Sequence, residues 1–173
     1  DWTPFFQTWS LFGHYPQILD DEIVGEQAKK VFADGKDMLK RIIDGRWLTA
    51  NGVMAYYPAN QVNDDDIEVY RDETREEVLF TWRGLRQQGV KREGVSNKCL
   101  ADFIAPRESG VMDYIGLFAV TAGLGIEKKE NEFMANQDDY SAIMFKSLAD
   151  RLAEAFAEAL HARARIDLWG YAP

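Results

Sequence analysis

The chain has 173 residues, of which 46% are hydrophobic and 13% aromatic, with a formal net charge of −9. That apolar content supports one packed domain, expected over residues 1–173, and excludes wholesale disorder. The negative charge would repel phosphate backbones, which argues against a nucleic-acid partner, and no apolar run approaches the roughly 20 residues of a membrane span.

The N-terminus lacks the basic-then-apolar order of a signal peptide, and both ends read as cuts within a larger polypeptide. Pro4 to Leu11 reads as a short helix, with Thr3 or Asp1 as its cap, Pro4 in its first turn and Gly13 as its stop. A longer helix follows. Val24, Ala28, Val31, Gly35, Leu39 and Ile42 recur at three- and four-residue steps, and Gly45 ends the run. Asn51-Gly52 is a turn signal ahead of a strand, VMAYY. The polar stretch from Asn63 to Asp66 leads into IEVY. Arg71 to Thr74 can connect it tightly to EEVLFTW, which predicts a hairpin. Asp113 to Val120 predicts another strand, and its continuous apolar run predicts burial on both faces. The last third is helical from Asp138 to about Ile166, with Leu148, Leu152, Phe156 and Ala159 expected in the core. Few strands, a hairpin among them, separated by helical blocks predict an α+β fold with an antiparallel sheet.

Three constellations bear on chemistry. Asp150, Glu154 and Glu158 step by four along the polar side of the last helix. Like charges at that spacing repel by a few tenths of a kcal/mol. The stripe is either a solvated face, partly offset by Arg151, or a face kept acidic for a cationic ligand or a partner histidine. TAGLG at Thr121 to Gly125 is either a strand-ending turn or the cofactor turn of a Rossmann-type methyltransferase. The third glycine of that fingerprint is missing, since Lys128 takes its place. His14 and His161 are far apart, and the lone Cys99 has no cysteine partner, so neither a metal site nor a hydrolytic triad has support. A single cysteine allows no internal disulfide and fits a cytoplasmic protein, with Cys99 as a small buried hydrophobe.

Several segments agree in order and spacing with one family: DWTPFF with TWSL, YPAN, IEVYRDETR, LRQQ, CLADFIAP, DYIGLFAVTAGL, ADRLAEAFAEALH and LWGYAP. Together they cover essentially the whole chain. They resemble the S-adenosylmethionine-binding reactivation domain at the C-terminus of cobalamin-dependent methionine synthase. The resemblance implies a C-shaped or helmet-like α+β domain, with a twisted antiparallel sheet, flanking helices and a long final helix. It implies a shallow groove for S-adenosylmethionine. It also implies a part in the reductive remethylation of oxidised cobalamin, with the methyl group from S-adenosylmethionine and one electron from a flavodoxin or related flavoprotein. Cobalamin itself belongs to a neighbouring module of the same polypeptide. No general acid, base or metal ligand is required of this domain.

Residue by residue, the resemblance carries over Asp1, in DWTPFF, and Glu154, in ADRLAEAF, as contacts to S-adenosylmethionine. It carries over Asp150 as the acid that receives a histidine displaced from cobalt when the domain docks. Glu127 stands next to an acidic position of related role, occupied here by Ile126, and His14 stands where some relatives carry lysine at the docking face. Relatives continue past WGYAP with an arginine and a Gly-Tyr-Pro motif that supply much of the ligand site, and they begin upstream of Asp1. The chain is therefore expected to hold the fold and part of the groove, and to be inactive alone. Two other functions remain: a non-catalytic module that caps the cobalamin domain and recruits the reductant, and a stand-alone Rossmann-type methyltransferase.

Overall fold

The computed structural model describes residues 1–171. Among the described residues the fold is α+β, with a four-stranded antiparallel sheet in the order β3-β2-β1-β4 and four α-helices. The strands are β1 (Thr49–Val62), β2 (Asp66–Tyr70), β3 (Val78–Trp82) and β4 (Asp113–Leu124). The helices are α1 (Thr3–Thr8), α2 (Gly25–Gly45), α3 (Ile126–Ala135) and α4 (Asp139–Arg163). No parallel sheet order of Rossmann type is present among the described residues. The contacts divide into two compact units, one made of Asp1–Val53 with the chain from Ala119 onward, the other of Met54–Phe118.

The first unit is helical around an apolar core. Phe5 and Phe6 of α1, Val31 and Met38 of α2, Phe133 of α3 and Phe145 of α4 are all buried in it. The three-to-four spacing of α2 turns one face inward, and that face needs Gly35. A Cβ at Gly35 would stand 2.7 Å from Cζ of Phe5, so only glycine lets the ring lie on the helix. The cap of α4 is Asp138, whose side chain accepts a hydrogen bond from Ser141 N–H at 3.0 Å. Hydrogen bonding from Ser141 also holds the Asp138 carboxyl below its ordinary value.

Four local expectations need correction. The first helix ends at Thr8 rather than near Gly13, because Ser10 turns left-handed at φ 57°. Asn51-Gly52 lies inside β1 and makes no turn; its glycine matters because a Cβ there would press the Phe156 ring at 3.0 Å. β4 is not buried on both faces: Ala122 is its one buried residue, and Phe118 is 44% exposed. Along α4, Leu148 is buried and Leu152 and Phe156 are half-buried, but Ala159 is exposed. The stripe is continuous in sequence, yet the core touches only its first half.

The second unit holds the β1–β2–β3 antiparallel meander, a long irregular segment and the first half of β4. The β1–β2 hairpin pairs Val62 with Asp66 and turns through Asn63 and Asp64, both at positive φ, a conformation that asparagine and aspartate tolerate. β2 pairs with β3, Val69 opposite Phe80, with a bulge between Val69 and Tyr70. Ala59, Ile67, Val69, Cys99 and Ala101 form its core, so Cys99 is the small buried hydrophobe expected.

The segment after β3 is tied down by Arg86. Its guanidinium donates to both carboxylate oxygens of Asp102, at 2.7 and 2.8 Å, to Asp65 Oδ1 at 2.8 Å and to the Asn97 carbonyl at 2.8 Å. Asp102 also accepts from Cys99 N–H at 2.9 Å. Arg86, and then the Cys99 amide, hold the Asp102 carboxyl down at about 2, against an ordinary 3.8. A lowered folded-state pKa stabilises the protein above the unfolded value and loses that contribution as pH falls through the folded one. The urea midpoint should therefore fall as pH drops from about 4 to about 2, and Asp102→Asn should flatten that part of the profile. A variant with the same slope as wild type would remove Asp102 from the acid response.

Candidate ligand cavity on the final helix

The N-terminal aspartate and the middle of α4 meet at one cavity. Asp1, Trp2 and Phe5 line it from the start of the chain, and Leu148, Arg151, Leu152 and Ala155 line it from α4. Helical spacing accounts for the second set, since steps of three and four place those residues on one face. Asp1 is held in place by its own Oδ1, which accepts a hydrogen bond from Thr3 N–H at 2.8 Å. The cavity is about 200 Å³. Leu152 and Ala155 also line a second cavity of about 660 Å³, together with Ile42, Leu48, Ala122 and Phe156, in which Arg46 is the charged residue. The smaller cavity alone falls short of the roughly 300–1,000 Å³ typical of small-molecule sites. The two cavities share Leu152 and Ala155 of α4; Asp1 and Arg151 are the charged residues at the smaller one's end and Arg46 at the larger one's.

Arg151 organises that end. Its Nη1 donates to Glu154 Oε2 at 2.7 Å, and its Nε donates to Asp150 Oδ2 at 3.2 Å. Nη2 donates to the same oxygen of Asp150. The arginine side chain is 25% exposed, while Asp150 and Glu154 are 72% and 66% exposed. Asp1 and Arg151 thus share the cavity, whereas Glu154, expected beside Asp1, and Asp150 are not in its lining and are tied to it only by their ion pairs with Arg151. His14 and Glu127 are not in its lining. His14 is exposed in the loop after α1, where its carbonyl accepts from Ile18 N–H at 2.8 Å. Glu127 is exposed in the first turn of α3, just past Gly125, whose φ of 101° takes the chain from the end of β4, which includes Thr121–Leu124, into that helix.

Sequence reasoning treated Arg151 only as an offset to the acid stripe. The signal that could have promoted it was its position between Asp150 at i−1 and Glu154 at i+3, on the boundary of the apolar face. Among the described residues no group of three histidine, cysteine, aspartate or glutamate side chains could hold a metal ion. No helix among them is long and apolar enough to cross a membrane.

An antiparallel α+β fold whose last helix borders a cavity of apolar side chains with one aspartate and one arginine fits the class of ligand-binding domains. The chain belongs to the family of vitamin B12 dependent methionine synthase activation domains, whose sequence model matches residues 1–173. It is similar to a protein solved as the MetH reactivation domain bound to AdoHcy, at 56% sequence identity and a TM-score of 0.86. The match covers 99% of this chain and 52% of that one, so the chain spans about half the length of the solved relative.

Proposed function

We propose that residues 1–173 act as one partial activation domain of a cobalamin-dependent methionine synthase, a methyltransferase, binding S-adenosylmethionine for reductive remethylation of the oxidised cofactor. The observation that carries this is the Asp1–Arg151 cavity, in a family whose solved member holds S-adenosylhomocysteine. The residues fit that ligand class. Trp2, Leu152 and Ala155 offer apolar surface to an adenine or a thioether chain, Asp1 offers a carboxylate to amino or ribose hydroxyl groups, and Glu154 stands beside them through its ion pair with Arg151. Bound there, S-adenosylmethionine supplies a methyl group on a sulfonium. The chain's own part is binding, orientation and electrostatics, so no side chain need move a proton.

The partners follow from the same proposal: a cobalamin-binding module of the same polypeptide and a flavodoxin or related flavoprotein, all in the cytoplasm. Asp150, Glu127 and His14 are the residues proposed to face the cobalamin module. Their exposure leaves them open to a partner.

In the full-length protein, Asp1→Asn is expected to weaken S-adenosylmethionine binding by about tenfold, the worth of one charge-assisted hydrogen bond. Titration calorimetry reads this directly. Unchanged affinity would remove Asp1 from the site. A wild-type protein that captures the flavoprotein but neither S-adenosylmethionine nor S-adenosylhomocysteine would instead favour a docking module without a methyl-donor site.

A further inference from the structure

Arg151 is the cation in the lining of the Asp1 cavity, and its guanidinium is already committed. It bridges Asp150 and Glu154, and it is far less exposed than either acid. Charges at 150, 151 and 154 therefore sum to −1 (two acids and one base) rather than −2 beside the cavity. S-adenosylmethionine and S-adenosylhomocysteine differ by one methyl and one positive charge, both at sulfur. The methyl contributes the same difference whatever residue stands at 151. The charge does not, because its interaction depends on the local field.

We propose that Arg151 is a specificity-determining residue that mutes the acid stripe beside the cavity, keeping the affinities for the cationic methyl donor and its neutral product close together. This rests on the function proposed above. With the arginine in place, the two carboxylates are spent on it, and the sulfonium meets a weakly negative surface. Without it, two uncompensated carboxylates favour the sulfonium and do little for the thioether. The site then discriminates by charge, and the product is displaced by the donor more readily than the fold otherwise allows.

The test is the ratio of donor to product affinity, measured by calorimetry on the full-length protein with S-adenosylmethionine and S-adenosylhomocysteine. Arg151→Met should shift the ratio toward the donor by about tenfold at low ionic strength. Salt at about 0.5 M should collapse most of that shift. Arg151→Lys keeps the charge, so its ratio should stay within about twofold of wild type. Asp150→Asn removes one acid and leaves the arginine, so it should move the ratio the other way by a few-fold. It also serves if Arg151→Met fails to fold. A ratio for Arg151→Met within about twofold of wild type overturns the proposal, as does an equal shift in Arg151→Lys, which would make the effect one of geometry. If the wild-type protein binds neither ligand, the proposed function falls and this inference with it. Binding of both with unmoved ratios sinks only the role of Arg151.

Discussion

Phe145→Ala is expected to destabilise the protein by about 3–5 kcal/mol, the range for removing a fully buried aromatic ring. Phe145 of α4 has no solvent exposure, and it packs on Phe133 of α3 and on Trp47 in the connection between α2 and β1. Its ring centroid is 6.1 Å from that of Trp47 and 6.1 Å from that of Phe133, at the angles of edge and tilted packing. Such pairs contribute about 0.5–1.5 kcal/mol beyond the area they bury. Loss of the ring therefore removes transfer energy, two aromatic contacts and the filling of a cavity that rigid neighbours cannot collapse. Urea unfolding should show a lower midpoint with an unchanged slope, the mark of altered stability rather than altered compactness. A loss under about 1 kcal/mol would mean that the site relaxes freely and that the core is less rigid than its packing implies. Phe156, on the same stripe of α4 but half-buried, should lose less.

That contrast shows what periodicity does and does not reveal. The α2 and α4 helices were legible because their apolar residues repeat at three and four, and the β2–β3 hairpin because its residues alternate around a polar connection. Spacing states which way a side chain points, not whether anything lies against it. So Ala159 stands on the predicted stripe and is exposed, and the apolar run from Asp113 to Val120 contains no buried residue, Ala122 beyond it being the one buried residue of β4. The start of β1 was hidden by Asn51-Gly52, a strong turn signal that the ring of Phe156 turns into a packing requirement. α3 escaped because its ten residues bury one side chain, Phe133, and present no stripe to count.

The candidate site was legible to a different degree. Asp1 and Glu154 were singled out through resemblance, since an N-terminal aspartate and one glutamate of a helical stripe carry no chemistry by themselves. The fold adds the cavity that joins Asp1 to α4, which brings together residues far apart in sequence and has no local signature. Several of the motifs that carried the resemblance do not line that cavity. YPAN, IEVYRDETR, LRQQ, CLADFIAP and the start of DYIGLF all belong to the second unit, where Asn60, Arg75, Arg86, Asp102 and Asp113 hold the backbone together. Their charged and polar residues specify irregular backbone that no periodic pattern encodes.

Asn60→Ala tests that claim at its centre and is expected to cost about 3 kcal/mol, with about 1–3 kcal/mol for each buried group left unpaired. Asn60 is 4% exposed, and every polar atom of its side chain is used. Its Nδ2 donates to the Ala105 carbonyl at 3.0 Å and the Val111 carbonyl at 2.9 Å, and its Oδ1 accepts from Arg75 Nη1 at 2.6 Å. Arg75 in turn donates to the Asp113 carbonyl at 2.8 Å, so one amide and one guanidinium clamp three stretches of chain. Alanine would take the amide's bond from the Val111 carbonyl and from one guanidinium N–H, while the Ala105 carbonyl would keep the hydrogen bond it accepts from Gln61 N–H at 3.0 Å. Asn60→Asp separates the contributions. A carboxylate could pair with Arg75 more strongly than the amide does, but it has no N–H to give, and it would sit against two carbonyl oxygens that it repels. If the two donated bonds matter most, Asn60→Asp should rescue little of the loss, and urea midpoints of the two variants should lie close together. If aspartate restores near wild-type stability, the ion pair with Arg75 is what holds this unit, and the amide's link to Ala105 and Val111 contributes little.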